Sequence, residues 1–298
     1  MKTAYLSLLL ALALSACTGE PEAPGQADAA PDAPSGTDIH LFRLSDGTAT
    51  HDAIVTDRAG YDNQPHFTAD GSQILFTSDR TGNMDTFAYS VADGSVSQVT
   101  HSAEGEYSPT TVPARPGWFS AIRMDLDGVQ ELWRYPLDSE DTPVPVATVN
   151  RVGYHTWVGD DKVLFFRLGR PSTLQLVMEG TADTTVVAER VGRSLHKVPG
   201  ERASSYLVTV SDDYREIRRY DWATGESSPV AVPLEGGQDY AWTPDGAIVM
   251  AIEGILYAYA PGLDVDWREI ADLGLDETSR LAVSPDGALL AVVANRSE

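Results

Sequence analysis

The feature that most constrains this chain is a four-strand unit that recurs along the sequence. The clearest copy runs through 64–100, where Phe67 precedes an Asp-Gly turn and the following strands are separated by further turn residues. Six copies, aligned at the position of Phe67, follow one another at intervals of 44, 46, 40, 45 and 41 residues. The aligned positions, called anchors below, are Phe67, Thr111, Trp157, Lys197, Trp242 and Val283. Four-strand units of about 40 to 45 residues are typical of β-propeller blades.

The sixth unit is completed from the other end of the repeat region. After Val283 the sequence has room for only two strands, while 39–56 has the pattern of the last two strands of a unit. We therefore predict an all-β fold over 37–298, a six-bladed β-propeller of four-stranded antiparallel blades. One blade combines 37–59 with 280–298, so both ends of the propeller close the ring and no sheet edge stays open.

The first 17 residues have the pattern of an export signal. Lys2 is followed by an apolar run from Ala4 to Leu14, which is too short to span a membrane. The run ends in Leu-Ser-Ala-Cys, which resembles the lipobox of bacterial lipoproteins, and Cys17 is the only cysteine of the chain. We predict that Cys17 carries lipid. The alternative is an ordinary signal peptide with a chance cysteine near its cleavage site.

The segment 18–36 differs in composition from the repeats. It contains four Pro, three Gly and four acidic residues, and it has no large apolar side chain. Such a segment cannot bury enough surface to offset the entropy of ordering it. We predict a disordered tether between the lipid on Cys17 and the propeller, which would be the only link to the membrane.

Charge and cysteine content exclude several classes of function. The chain has 44 acidic residues against 21 Lys and Arg, a formal net charge of −23. A nucleic-acid partner is therefore excluded, because a polyanion would be repelled. A single cysteine rules out internal disulfides and multi-cysteine metal sites. We expect a monomer.

The stretch 67–85, FTADGSQILFTSDRTGNMD, resembles the repeat of TolB-like β-propellers, and degenerate copies cover 37–298. The resemblance implies the propeller fold. It leaves the function open, because such blades occur in envelope binding proteins, in non-catalytic domains of prolyl-oligopeptidase relatives and in oligogalacturonate lyases. TolB has an α/β domain ahead of its propeller, whereas this sequence has the tether there.

Five residues are candidates for contacts in the central channel. His66, His155 and His196 come one or two residues before their anchors, which places them on the innermost strands of three blades. Tyr154 and Arg193 lie beside them and would suit an anionic or peptide ligand. The histidines have three interpretations: contacts to a ligand or partner, metal ligands, or structural residues of a wet channel. The metal interpretation is the one that the resemblance to oligogalacturonate lyases implies, because those enzymes use channel histidines around a metal.

The sequence contains no Gly-x-Ser-x-Gly elbow, P-loop, dinucleotide fingerprint or His-Glu-x-x-His motif. We accordingly assign no catalytic residue and no cofactor, and we leave a metal open. The predicted function is a lipid-anchored propeller of the bacterial envelope, on the periplasmic face of the outer membrane in a Gram-negative cell, that binds an envelope protein or peptide. The alternatives are a metal-dependent carbohydrate-active lyase or hydrolase and a scaffold without a discrete site.

Overall fold

The computed structural model of this chain describes residues 36–45, 47–138 and 141–296. The predicted export signal 1–17 with Cys17, and the tether 18–36 except Gly36, lie outside the described residues. Within the described part, 24 strands form six four-stranded antiparallel sheets, which confirms the predicted six-bladed propeller. In this part of the chain there is no helical segment with the length and hydrophobicity that crossing a bilayer requires.

The strands follow one another in blades that we number 1 to 6 around the ring. Blade 1 begins with β1 (Thr37–Ser45) and β2 (Thr48–Ile54). Blade 2 contains β3 (Asp62–Phe67), β4 (Gln73–Ser78), β5 (Asp85–Ser90) and β6 (Val96–Gln98). Blade 3 contains β7 (Gly105–Thr111), β8 (Trp118–Met124), β9 (Gln130–Pro136) and β10 (Val144–Asn150).

The remaining blades continue the same order. Blade 4 contains β11 (Val152–Val158), β12 (Lys162–Arg167), β13 (Thr173–Met178) and β14 (Thr184–Glu189). Blade 5 contains β15 (Val191–Lys197), β16 (Ala203–Ser211), β17 (Tyr214–Asp221) and β18 (Ser227–Ala231). Blade 6 contains β19 (Ala241–Trp242), β20 (Ile248–Ile252), β21 (Ile255–Tyr259) and β22 (Arg268–Asp272), and the last two strands are β23 (Thr278–Val283) and β24 (Leu289–Asn295).

Blade 1 is built from both ends of the described chain. Its strand order is β2-β1-β24-β23. Strands β1 and β24 pair antiparallel without interruption from Thr37 opposite Asn295 to Arg43 opposite Leu289. This pairing confirms the predicted closure of one blade by the two termini of the propeller.

The hydrophobic core lies between the blades. Each of the six hydrophobic clusters found among the described residues contains side chains from two neighbouring blades. Between blades 1 and 2, for example, Ile39 packs with Ile74 and Phe76, all of them excluded from solvent. Because both of its faces are covered, β24 reads as a continuous apolar run, Leu289–Ala294.

The innermost strand of each blade ends at its anchor. All six anchors are the last or next-to-last residue of β3, β7, β11, β15, β19 or β23, including the degenerate positions Thr111 and Lys197. After the anchor Trp242, Thr243 donates a 2.5 Å hydrogen bond to Asp245, and Gly246 adopts a φ of 91°. Only glycine adopts this backbone region without strain. The Pro-Asp-Gly motif thus sets the turn that ends the inner strand.

Candidate functional site in the central channel

A cavity of about 580 Å³ lies between the six innermost strands. In every blade except blade 5, its lining begins three residues before the anchor. In four of those blades it continues to two residues after the anchor. At about 3.3 Å per strand residue, this corresponds to a depth of about 16 Å. The anchor register therefore describes the height of any side chain in the channel.

One end of the cavity is polar. Three residues before the anchors, each of the six blades contributes one polar residue to the described lining. We call these the polar ring: Gln64, Ser108, Tyr154, Ser194, Asp239 and Arg280. Beyond the polar ring, Arg193 is the only described residue that still lines the cavity. The polar ring consequently forms the floor of the cavity.

The opposite end of the cavity is apolar and stiff. Two residues after their anchors, four turns each contribute a proline to the lining, which we call the proline mouth: Pro113, Pro199, Pro244 and Pro285. Proline has a fixed φ and no backbone N–H. The anchors Trp157 and Trp242 line the wall below it. This end offers an apolar surface with little conformational freedom to lose on binding.

All three predicted histidines line the cavity, at two different heights. His66 and His196 precede their anchors by one residue and are half-buried, whereas His155 precedes its anchor by two and is buried. The His66 Nε2 atom is 3.1 Å from Thr111 Oγ1, and the His196 ring packs against Tyr240 with centroids 4.8 Å apart. Because side chains alternate along a strand, one residue of difference turns His155 away from the other two.

His155 belongs to a hydrogen-bonded group between blades 3 and 4. Its Nε2 atom is 2.7 Å from Ser120 Oγ, which also accepts a 2.9 Å bond from Trp157 Nε1. Ser120 in turn donates to the carbonyl of Thr110. This set is complete when His155 Nε2 carries the proton and donates, which leaves buried Nδ1 without a partner. His155 therefore supports the wall of the channel.

The environment keeps the histidines neutral. Burial lowers the pKa of His66 to about 4. Burial, together with the charge of His66, lowers the pKa of His196 to about 4 and that of His155 to about 3. All three imidazoles are accordingly uncharged at neutral pH, and they contribute no positive charge to the channel.

These histidines do not fit a metal site. Among the described residues no group of three or more His, Cys, Asp or Glu side chains is arranged to hold a metal ion. The Nε2 atoms of His66 and His155 are both within hydrogen-bonding distance of hydroxyl groups. His155 also lies one position away from the height that His66 and His196 share, on the opposite side of its strand. The alternative that the three histidines hold a metal together is therefore not supported by their geometry.

Arg193 is neutralised by a carboxylate. Its guanidinium donates from Nε to Asp239 Oδ1 at 2.8 Å and from a terminal nitrogen to Oδ2 of the same residue. Ser194 donates to the carbonyl of Gln238 beside this pair. Two-point pairing with a largely buried carboxylate uses the charge of Arg193. Arg193 lines the floor, but Asp239 already balances its charge.

Arg280, which the sequence did not single out, is bonded to neutral groups among the described residues. It donates to Asn63 Oδ1 at 3.1 Å and to the Tyr154 hydroxyl at 2.8 Å, and it lies 5.5 Å from the centre of the Tyr154 ring. Among the described residues none forms an ion pair with it. Blades 1 and 4 are opposite each other in a ring of six, so this bond crosses the channel. The sequence signal that could have identified Arg280 is its position in the repeat, because Arg280 and Tyr154 both precede their anchors by three residues.

The cavity wall has the opposite sign of charge from the protein as a whole. Its described lining contains three basic residues, Arg193, Lys197 and Arg280, but one acidic residue, Asp239. The whole chain has a formal net charge of −23. A low-dielectric cleft lined by one sign of charge concentrates its field on ligands of the other sign.

Comparison with known proteins identifies the fold. No family model matches the sequence, and no curated protein matches it. Among solved structures, one assigned to TolB of Agrobacterium tumefaciens superimposes with a TM-score of 0.70 at 14% identity, covering 88% of this chain and 99% of that one. TolB from Acinetobacter baumannii has a TM-score of 0.55 at 11% identity over 89% of this chain and 65% of that one. The predicted TolB-like propeller fold is confirmed.

Similar folds also occur in enzymes. An oligogalacturonate lyase in complex with manganese superimposes with a TM-score of 0.51 at 18% identity, covering 84% of this chain and 70% of that chain. At this level of identity the likeness concerns the fold. The function therefore has to be argued from the residues of the channel.

Proposed function

We propose that this chain is a lipid-anchored propeller of the bacterial cell envelope that binds a protein segment or peptide in its central channel, without catalysis. The observation that carries the proposal is the shape of the cavity, which has a stiff apolar mouth, a volume of about 580 Å³ and a polar floor. Ligand sites are typically concave, mostly apolar and equipped with a few placed polar groups. TolB-like folds among the similar structures agree with a binding module.

Binding in the channel is tested by narrowing its mouth. Ala69 is exposed and lines the cavity at the height of the proline mouth. Ala114 is also exposed, in the turn after β7, but it does not line the cavity. Ala69→Trp should abolish capture of partner proteins from envelope extracts, whereas Ala114→Trp should leave capture unchanged. Equal capture by both variants would contradict binding in the channel.

The envelope location rests on the sequence of 1–17, with Cys17 as the site of lipid attachment. Cys17→Ser should move the protein from the membrane fraction to the soluble fraction and abolish labelling by a fatty acid. A wild-type protein that is not labelled would refute the lipid anchor. Ultracentrifugation of the detergent-solubilised protein checks the expected monomer.

The alternative, a metal-dependent carbohydrate-active enzyme, has weaker support. The likeness to an oligogalacturonate lyase favours it, but the described histidines do not share a metal-binding geometry. Titration with manganese should give no binding that depends on His66 or His196. Manganese binding lost in His66→Gln, together with cleavage of polygalacturonate, would favour the enzyme over the binding module.

A further inference from the structure

The floor of the cavity restricts how a ligand can enter. Arg280 and Tyr154 approach from opposite blades and are joined by a 2.8 Å hydrogen bond across the channel. Arg193 and Asp239 form a second pair at the same end. A polypeptide that enters through the proline mouth therefore meets a barrier of side chains about 16 Å down. An inserted chain has to end there or turn back.

The chemistry of the floor favours a negative group at that end. Arg280 has five N–H donors, of which the described contacts use two, both on neutral oxygens. The Tyr154 hydroxyl accepts from Arg280, and its own proton remains to be donated, since no described acceptor is bonded to it. A carboxylate placed between them would receive charge-assisted hydrogen bonds from both. No carboxylate of the described chain fills this role.

Burial makes this unmatched cation unusual. Arg280 is half-buried in the channel of a chain that has 44 acidic residues. The other arginine of the floor, Arg193, has a carboxylate partner. Asp239 is occupied by Arg193, so it does not serve Arg280. A partly buried charge that is bonded only to neutral groups is stabilised further by an external counter-charge.

We propose that the channel binds the carboxyl terminus of a polypeptide end-on, with the terminal carboxylate on Arg280 and Tyr154 and the preceding side chains against Trp242 and the proline mouth. This assignment rests on the proposed function, since it names the part of a peptide that the site takes. The terminal carboxylate fits the barrier, because it is the one negative group that every chain carries at its end. An acidic side chain in the middle of a segment would require the chain to turn back inside the channel.

The experiment uses decapeptide libraries displayed with free carboxyl termini, selected on the wild-type protein. Selected peptides are then synthesised as the free acid and as the carboxyl-terminal amide, and both forms are titrated against each variant. We expect the amide to bind wild type at least 10-fold more weakly than the acid. In Arg280→Gln, acid and amide should bind with equal, weakened affinity, and Arg280→Lys should restore part of the preference for the acid.

A control variant separates a specific contact from net charge. Arg43→Gln makes the same change in charge on an exposed residue of β1, outside the cavity. It should retain the 10-fold preference for the acid. Thermal unfolding of each variant checks that the propeller is intact.

The outcomes distinguish this assignment from the proposed function. Peptides that bind in the channel, lose binding in Ala69→Trp and bind equally as acid and amide would overturn the end-on assignment while the binding module stands. Binding that depends on an internal Asp or Glu, and not on the terminus, would overturn it in the same way. A second library, displayed with free amino termini, is selected in parallel. If no peptide from either library binds, the proposed function fails together with the assignment.

Discussion

Glu106 should make the stability of this propeller fall as the pH rises. The side chain has no exposed surface and lies on β7, at the interface between blades 2 and 3. Ser102 and Tyr135 both donate to its Oε1 atom, while buried Oε2 has no partner among the described residues. Burial, with a contribution from the nearby carboxylate of Asp85, raises the pKa of Glu106 from 4.5 to about 7.

The sign and size of the effect follow from this shift. Between pH 4.5 and 7, Glu106 is ionised in the unfolded chain and protonated in the folded protein. Folding then takes up a proton, so a rise in pH favours the unfolded state until both states are ionised. The rise of the pKa from 4.5 to about 7 corresponds to about 3 kcal/mol. The contribution of Glu106 is favourable below pH 4.5 and is lost progressively up to about pH 7.

Glu106→Gln removes this dependence, because the amide is neutral at every pH and close in shape to the protonated acid. In urea unfolding monitored by tryptophan fluorescence, the difference in unfolding free energy between Glu106→Gln and wild type should grow by about 2.5 kcal/mol from pH 5 to pH 8.5. Glu235→Gln, at an exposed loop position, serves as the matched control and should follow wild type. Parallel stability curves for Glu106→Gln and wild type over this range would refute the argument.

Three further predictions concern the fold. Asp62 is excluded from solvent and pairs with Arg58 and Arg80. In urea unfolding, Asp62→Ala should lower the unfolding free energy by about 3 to 5 kcal/mol. The control Asp52→Ala, which breaks an exposed pair, should lower it by less than about 1 kcal/mol. His155→Gln should reduce the loss of stability between pH 6.5 and 4, because the lowered pKa of His155 makes the unfolded chain bind the proton first; identical acid denaturation curves would contradict this. Deletion of 37–59 should remove β1 and β2 from blade 1 and abolish cooperative melting in calorimetry, whereas deletion of 18–34 should leave the melting temperature within a few degrees.

Much of the fold could be predicted because the turns that separate the strands are formed by residues close together in sequence. Asp-Gly and Pro-Asp-Gly mark the end of an inner strand through hydrogen bonds within three or four residues, such as the bond from Ser284 to Asp286. Asp-Gly follows the anchor in three blades, and the even spacing of the anchors supplies the other three, so motif and spacing together give the blade number. Thr111 and Lys197, which lack the apolar side chain of the motif, were still placed at the ends of their strands by spacing alone.

The roles of the channel residues could not be predicted as well, because they depend on partners in other blades. Sequence gives the height of Arg193 in the channel to within a residue, but it does not show that Asp239 neutralises it. In the same way, His155 differs from His66 and His196 by one position, within the uncertainty of the alignment, and that position decides whether a ring faces the channel or the neighbouring blade. Alternation along a strand makes side-chain direction sensitive to a single residue.

The contrast between an acidic surface and a basic channel floor indicates how the two act on a ligand. At physiological ionic strength, charges separated by more than about 8 Å are largely screened in water. The floor lies about 16 Å below the proline mouth, so carboxylates around that mouth have little effect on an anion bound at Arg280. Arg280, by contrast, acts at hydrogen-bonding distance within a cleft of low dielectric, where a charge-assisted bond is strongest. The negative charge of the whole chain therefore does not argue against an anionic ligand group, and Arg280 determines the preference of the floor.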